Sequence, residues 1–576
     1  MTVFVDTFVA RPSPEAPLRV NVADRLAAAA RQLPAAVAVA APARSRLGGP
    51  RGYRQCTFGE LDLAADRIAR GLLAAGVEPG DRLVLLVRPG IEFVALAFGL
   101  LRSGATAVLI DPGMPRRYLL ECLQGVRPHG FVAISRAQAL RTLCRRRFPD
   151  AAKNVTVGRR WFWGGATYAS LMRRGAASAA ALPETRADDP AAVIFTSGST
   201  GPPKGVQYTQ RMFGTQAAEI AGQYGLRAGG VDLACFPLFG LFNAAMGVTT
   251  VFPRMDFSRP AAADPRQLLA AARDWGVTQA FASPAVWDKL SRYCAASGDR
   301  IPTLREIFSC GAPVPAAVLR RMLPIAHPEA RMHTPYGATE CLPVSTIEAR
   351  EVLEETAAAT AEGAGVCVGR PFPTIDWKVI AITDQPIARW EDAVPLPSGA
   401  IGELAVCGPQ VSPRYWGGPG TSGDVGPRSS DERANALAKI PEGDRIWHRV
   451  GDVGYLDDRG RFWYCGRKAH RVETAGGVRF SVPAEEIVNE HPAVRRSALA
   501  GIGAPPRQTP VMIVELQQPS DDPQAALAAI RAWSVRHPSL ADIDDWRVHA
   551  GFPVDVRHNA KIDREALSRW AAGEAP

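Results

Sequence analysis

The stretch Thr196-Ser197-Gly198-Ser199-Thr200-Gly201-Pro202-Pro203-Lys204-Gly205 holds residue types that bind an oxyanion. Glycines admit positive dihedrals and close backbone approach, so that N–H groups can converge on an anion. The hydroxyls of Thr196, Ser197, Ser199 and Thr200 donate to phosphate oxygens, and Lys204 adds a mobile point charge. The apolar run Val193-Ile194-Phe195 reads as a strand leading into the loop. A Walker A loop has Ser or Thr directly after its lysine. Here Gly205 follows Lys204 and Pro203 precedes it, so this is a phosphate loop of another kind. Taken alone, the string also reads as a glycine-serine linker.

Further segments downstream carry groups suited to a nucleotide. Phe308-Ser309-Cys310-Gly311-Ala312-Pro313 runs from a strand into a turn. Tyr336-Gly337-Ala338-Thr339-Glu340 brings a ring, a hydroxyl and a carboxylate together. Asp452, in Val450-Gly451-Asp452-Val453-Gly454-Tyr455, offers a carboxylate that can accept two hydroxyl bonds from a diol. Arg467 closes Tyr464-Cys465-Gly466-Arg467, and Lys561 lies in His558-Asn559-Ala560-Lys561-Ile562-Asp563-Arg564. Singly, each has a plain reading as a turn, a surface pair or a helix-flanking cation. In this order they resemble the signature motifs of the ANL superfamily of adenylate-forming enzymes, which includes acyl-CoA synthetases, luciferases and peptide-synthetase adenylation domains. The resemblance runs from near Thr57 to near Leu567.

That resemblance implies acyl-AMP formation from a carboxylic acid with ATP and Mg²⁺. It implies that Thr196, Ser197, Gly198, Ser199, Thr200, Gly201 and Lys204 hold the phosphates, and that Gly311, Ala312 and Pro313 line the adenine. The Tyr336 ring would pack on the base, with Gly337 and Ala338 in the same strip, and Thr339 would reach the α-phosphate. Glu340 would hold the metal, a hard cation that prefers carboxylate and phosphate oxygens. Asp452 would take the ribose, Arg467 would contact the nucleotide, and Lys561 would bridge carboxylate and phosphate. Lys561, Glu340 and Thr200 are the catalytic candidates.

The acceptor of the acyl group is less plainly written. The superfamily's hinge carries an aspartate or lysine two residues past the Gly-Arg pair. Here that position is Ala469, in Gly466-Arg467-Lys468-Ala469-His470. This weakens the case for a thioester half-reaction, or is ordinary drift in a hinge that needs mobile dihedrals more than one side chain. Many fatty-acid activators have histidine after Pro-Leu-Phe. Here Pro237-Leu238-Phe239-Gly240-Leu241-Phe242-Asn243 has Gly240, which either opens room for a bulky acid or is a loop glycine without that meaning. Phe239, Gly240, Phe242 and Asn243 are the candidate substrate pocket. This string, Leu109-Ile110-Asp111-Pro112-Gly113 and Tyr336–Val344 resemble the β-lactone synthetases of bacterial olefin biosynthesis. That branch implies a 2-alkyl-3-hydroxy fatty acid whose own 3-hydroxyl displaces AMP. It also implies pathway partners: a thiolase, a reductase supplying the acid and an α/β-hydrolase-fold protein consuming the lactone. A long-chain acyl-CoA synthetase is the alternative, and a non-catalytic nucleotide-binding protein a more distant one. His333 reads as a buried structural histidine or as a group near the pocket.

These groups must be held by a scaffold. Thr57-Phe58-Gly59-Glu60-Leu61 opens a helix whose Leu61, Ala65, Ile68, Leu72 and Leu73 share one face, stopped at Gly76 and Pro79-Gly80. Arg82–Val87 and Ala105–Ile110 read as buried strands, with Phe93–Leu101 as a helix between them. Such alternation predicts an α/β fold of parallel, helix-covered sheets. After Arg370 the pattern shifts to short strands such as Ile401–Cys407, and then to a small α+β unit with helices at Pro483–Glu490 and Ala525–Arg536. Gly417–Ser430 reads as an exposed loop. With the resemblance, the expected organisation is an AMP-binding adenylation domain over 1–466, including a distorted barrel subdomain. A hinge at 467–470 and a small mobile C-terminal lid domain over 471–576, carrying Lys561, complete it.

Bulk properties exclude other classes. The 576 residues exceed what one core usually holds. Ten cysteines fall singly among apolar neighbours, which reads as reduced core thiols in a cytoplasmic protein. Met1–Ala10 has no basic n-region, and Phe93–Ile110 is broken by Arg102-Ser103-Gly104, so neither a signal peptide nor a membrane span is expected. The formal charge is +10, but the arginines are scattered and no nucleic-acid motif appears. The densest cluster, Arg145-Arg146-Arg147 with Arg159-Arg160 nearby, reads as a solvated surface or as a contact for an acidic partner or peripheral membrane headgroups.

Overall fold

The computed structural model describes residues 20–43, 52–111, 114–196, 203–416, 429–518, 522–534, 536–554 and 562–574. Ser197, Gly198, Ser199, Thr200, Gly201 and Lys561 therefore lie outside the described residues, as does most of the expected loop after Trp416.

Two seven-stranded sheets form the first part of the chain. One runs in the order Arg331–His333, Glu306–Ser309, Gln279–Ala282, Val231–Ala234, Thr249–Val251, Val37–Pro42 and Tyr53–Thr57. The other runs Ala166–Thr167, Val155–Val157, Gly130–Ile134, Arg82–Leu86, Thr106–Leu109, Pro190–Phe195 and Gly205–Thr209. Each is parallel except for one antiparallel edge strand, Tyr53–Thr57 in the first and Gly205–Thr209 in the second. The expected helices cover them. Phe58–Leu73 starts at Thr57, whose hydroxyl accepts from the Glu60 N–H while Glu60 returns to the Thr57 N–H. Its Leu61, Ala65, Ile68 and Leu72 are fully buried against Ile91–Arg102, a helix apolar on nearly every side because it lies inside the core.

A third, antiparallel sheet follows: Val366–Cys367, Phe462–Arg467, Arg445–Leu456, Gly402–Cys407 and Asp376–Ile380, with Lys439–Glu442 on the flank of Arg445–Leu456. Register shifts at Glu403/Ala405 and Val453/Gly454 distort it, and pairing among the described residues runs as an open path. The C-terminal α+β unit pairs Val494–Ile502 with Thr509–Leu516 and Asp545–Val548, and packs helices Ser481–Asn489 and Pro523–Ser534 around them. Gly466 joins the two parts with φ 133°, and a Cβ there would lie 2.8 Å from Ser481 Oγ, so only glycine allows this approach.

Candidate active site

The phosphate-loop segment is held at its base by strand pairing. Pro190–Phe195 and Gly205–Thr209 are antiparallel, which sets Thr196 opposite Lys204. Thr196 N–H donates to the Lys204 carbonyl at 3.0 Å, and Lys204 N–H donates to Thr196 Oγ1 at 3.1 Å. The segment around Tyr415 lies along the outer side of Gly205–Thr209, with Trp416 N–H donating to the Gly205 carbonyl at 2.7 Å. This brings Lys204 Nζ to 4.9 Å from the centre of the Tyr415 ring, a cation–π contact.

Tyr415 links the loop to Glu340. Its hydroxyl donates to Glu340 Oε1 at 2.7 Å, while Ser412 N–H donates to the Glu340 carbonyl at 2.7 Å. Burial, then the Glu340 charge, push the Tyr415 phenol far up, so it remains a donor. Lys439 Nζ lies beneath, donating to the Ser412 carbonyl at 2.6 Å. Burial lowers its pKa to about 8, against the attraction of Glu340. Tyr208 OH donates to the Thr339 carbonyl at 2.6 Å and fixes the strip just before Glu340. Neither Tyr415 nor Lys439 stood out in the sequence. Each lies far along the chain from Glu340, and no local spacing signals the meeting.

Asp452, Arg467 and Tyr336 form a second cluster. Asp452 and Arg467 face each other across paired strands Arg445–Leu456 and Phe462–Arg467. Asp452 Oδ1 accepts from Arg467 at 2.7 Å, and Oδ2 accepts from Tyr336 OH at 2.5 Å. The Asp452 charge holds the Arg467 guanidinium firmly protonated, and burial followed by Asp452 pushes the Tyr336 phenol well up. The carboxylate has lone pairs beyond these two contacts, so a diol can still bind. Gly311 turns with φ 97° just after strand Glu306–Ser309, and Ala312 and Pro313 follow.

At the expected substrate pocket the outcome differs by residue. Phe239 stacks on Phe281 at 4.2 Å, and Phe242 is half-buried beside it. Gly240 lies in helix Phe239–Met246, not in a loop. A Cβ there would meet Thr250 Cγ2 and Phe252 Cζ, both at 3.1 Å. The loop reading is corrected accordingly: Gly240 is helical, and a side chain there would press on Thr250 and Phe252. Asn243 is fully buried and donates to Asp232 Oδ2 at 2.8 Å. His333 is buried, bonded to Glu306 at 3.0 Å and stacked on Phe308, a structural histidine.

Where the hinge is expected, Lys468–His470 form a single 3₁₀ turn. Lys468 Nζ donates to the Thr383 carbonyl at 3.0 Å and to Glu403 at 3.1 Å, and Glu403 is itself paired with buried Arg449. Beyond the hinge, Arg564 pairs with buried Glu485 at 2.6 Å. Ile562 bridges to Val554, so the residues flanking the Lys561 segment are tied together.

The AMP-binding enzyme family matches residues 26–416. The chain belongs to that family. It is an enzyme of the adenylate-forming ligase superfamily, and its two-part α/β architecture is the one described above. Over 565 residues it is 44% identical to an olefin beta-lactone synthetase of Xanthomonas campestris pv. campestris, covering 96% of this chain and 97% of that protein. It is 44% identical over 561 residues to an olefin beta-lactone synthetase of Stenotrophomonas maltophilia, covering 96% and 98%. Among solved structures, ATP-bound MatB from Rhodopseudomonas palustris superposes with a TM-score of 0.72 at 19% identity, covering 96% of this chain and 99% of that one. Amide bond synthetase McbA from Marinactinospora thermotolerans gives 0.74 at 20% identity, covering 95% and 99%. These two likenesses show the fold.

Proposed function

We propose that this enzyme makes a β-lactone from a 2-alkyl-3-hydroxy fatty acid, with ATP as the activating substrate. The reading is supported by 44% identity over nearly the whole chain to two olefin beta-lactone synthetases, together with the pairing of Glu340 with Tyr415 and of Asp452 with Arg467 and Tyr336. In the first step a carboxylate oxygen attacks the α-phosphorus and pyrophosphate leaves. In the second, the 3-hydroxyl oxygen attacks the acyl carbon, the acyl–oxygen bond to AMP breaks, and the hydroxyl proton is released. Proximity favours this internal nucleophile over an external thiol.

Asp452 and Arg467 orient the nucleotide, and the Thr196–Gly205 loop with Lys204 receives its phosphates. Both reactants of the first step are anionic, so fixed positive charge stabilises the transition state, about 3 kcal/mol for each well-placed donor. Lys561 and the loop N–H groups supply it. Glu340 fits Mg²⁺, which takes one or two carboxylates and completes its shell with phosphate oxygens and water. When bound there, the ion neutralises phosphate charge. Residues 471–576 act as a lid that turns about 467–470 and brings Lys561 in. The enzyme works in the cytoplasm, alongside a reductase that supplies the hydroxy acid and a hydrolase-fold protein that consumes the lactone. A cytoplasmic setting agrees with ten free thiols.

The test is a reaction with ATP, Mg²⁺ and a 2-alkyl-3-hydroxy acid, without coenzyme A. AMP with a product lighter than the acid by one water supports the proposal. AMP formed only when coenzyme A is added, together with an acyl-CoA, replaces it by the acyl-CoA synthetase reading.

A further inference from the structure

Of the ten large apolar side chains exposed among the described residues, four lie close together in sequence. Leu143 is 81% exposed, Phe162 76% and Trp161 52%, and Leu140 is also exposed. All four lie on one edge of the second sheet. Residues 135–165 also carry eight basic side chains against the single acid Asp150, a large part of the formal charge of +10. Among the described residues, Arg136, Arg145, Arg146, Arg147, Arg159 and Arg160 are exposed and form no ion pair.

The geometry joins these groups into one face. Helix Ser135–Leu143 lies on the sheet edge, with buried Gln138 donating to the Phe131 and Val155 carbonyls at 2.9 and 3.0 Å. At its start, Ser135 Oγ donates to the Arg159 carbonyl at 2.5 Å, which brings the Arg159–Phe162 loop alongside. Its end leads directly into Arg145–Arg147. Arg136, Leu140 and Leu143 fall at i, i+4 and i+7, so one exposed stripe connects the aromatic loop to the arginine turn, about 13 Å away. The loop is a firm mount: Trp163 is buried, its indole N–H donates to Thr156 at 3.0 Å, and both Trp161 and Phe162 pack on its ring.

We propose that this face docks on an anionic lipid bilayer, with Trp161, Phe162 and Leu143 entering the headgroup boundary and the arginines meeting lipid phosphates. Arginine beside exposed tryptophan, phenylalanine and leucine is the composition of a peripheral membrane surface. A nucleic acid or an acidic protein would answer the charge and leave the leucines in water. The chemistry of docking does not depend on which acid the enzyme activates.

The experiment is flotation of the full chain with vesicles of phosphatidylcholine alone or with about one third phosphatidylglycerol, at physiological salt. Binding is expected on the anionic vesicles and not on the neutral ones. Each basic residue near the surface changes partition by about fivefold, so Arg145→Gln/Arg146→Gln/Arg147→Gln should lower it about a hundredfold. Trp161→Ser/Phe162→Ser should abolish flotation while pyrophosphate release with a water-soluble acid is unchanged, which shows that the variant is folded. No binding to anionic vesicles overturns the proposal. So does binding that survives the aromatic pair's replacement, or binding displaced fully by an oligonucleotide that itself binds the aromatic variant equally well.

Discussion

Asp232→Asn tests how the interior beneath the Phe239–Met246 helix is held. Asp232 is fully buried on a central strand, and Asn243 from that helix donates to its Oδ2. Asp232 Oδ1 and Asn243 Oδ1 have no partner. Gln279 Nε2 on the neighbouring strand is also without a partner, and a proton on the carboxyl adds a further donor to this cluster. Burial pushes the Asp232 pKa up to about 7, against the amides of Asn243 and Gln279, from an ordinary 3.8. A raised carboxyl stabilises the fold at pH below its unfolded value and loses that advantage as pH rises through the folded one. Ionising the buried carboxyl therefore costs the fold roughly 4 kcal/mol at about pH 8 and less than half of that at about pH 5. Asparagine cannot ionise, so the variant should be more stable than the parent at pH 8 and gain less at pH 5. Calorimetric melting at the two pH values reads this directly, with several degrees expected at the higher one. An equal loss of stability at both would mean that the native carboxyl is charged, and the reasoning would fail.

Three other changes address the site. Tyr415→Phe removes the donor to Glu340 Oε1, and a hydrogen bond to a charged group is worth ~1.5–3 kcal/mol. The Mg²⁺ concentration for half-maximal pyrophosphate release should therefore rise at least about tenfold, and an unchanged requirement would dissociate Tyr415 from the metal site. Gly240→His forces a side chain against Thr250 and Phe252 and should destabilise by about 1–3 kcal/mol. A variant that melts like the parent while preferring smaller acids would place Gly240 in the substrate pocket. Lys561→Ala should cut acid-dependent pyrophosphate release about a hundredfold with the melting temperature unchanged, following the ~3 kcal/mol of one transition-state donor; parent-like release would remove its role.

The scaffold was legible where local rules decide it. The start at Thr57–Leu61 and the spacing Leu61, Ala65, Ile68, Leu72 and Leu73 announce their helix, and it begins there and buries all of these but Leu73, which is half-buried. Asp452 and Arg467 stand in motifs that the family resemblance picks out, and their cross-strand pairing follows from the hairpin that joins them. Contacts between distant segments were not legible. Tyr336 and Asp452 lie 116 residues apart, and Tyr415 and Glu340 lie 75 apart. Nothing local to Tyr415 or Lys439 distinguishes them from core residues. The surroundings of Gly240 were not legible for a different reason. A glycine records that a side chain is absent, and the direction that side chain would take depends on how its helix lies on the sheet.

In the proposed reaction the carboxylate is activated as an adenylate and the 3-hydroxyl closes the ring. Its most direct test is mass spectrometry after turnover of a 2-alkyl-3-hydroxy acid with both carboxylate oxygens replaced by ¹⁸O. One ¹⁸O is expected in the AMP phosphate and one in the lactone carbonyl, because AMP departs with the oxygen that attacked phosphorus. Unlabelled AMP with both ¹⁸O atoms in the lactone would mean that the hydroxyl was activated instead, and would contradict it.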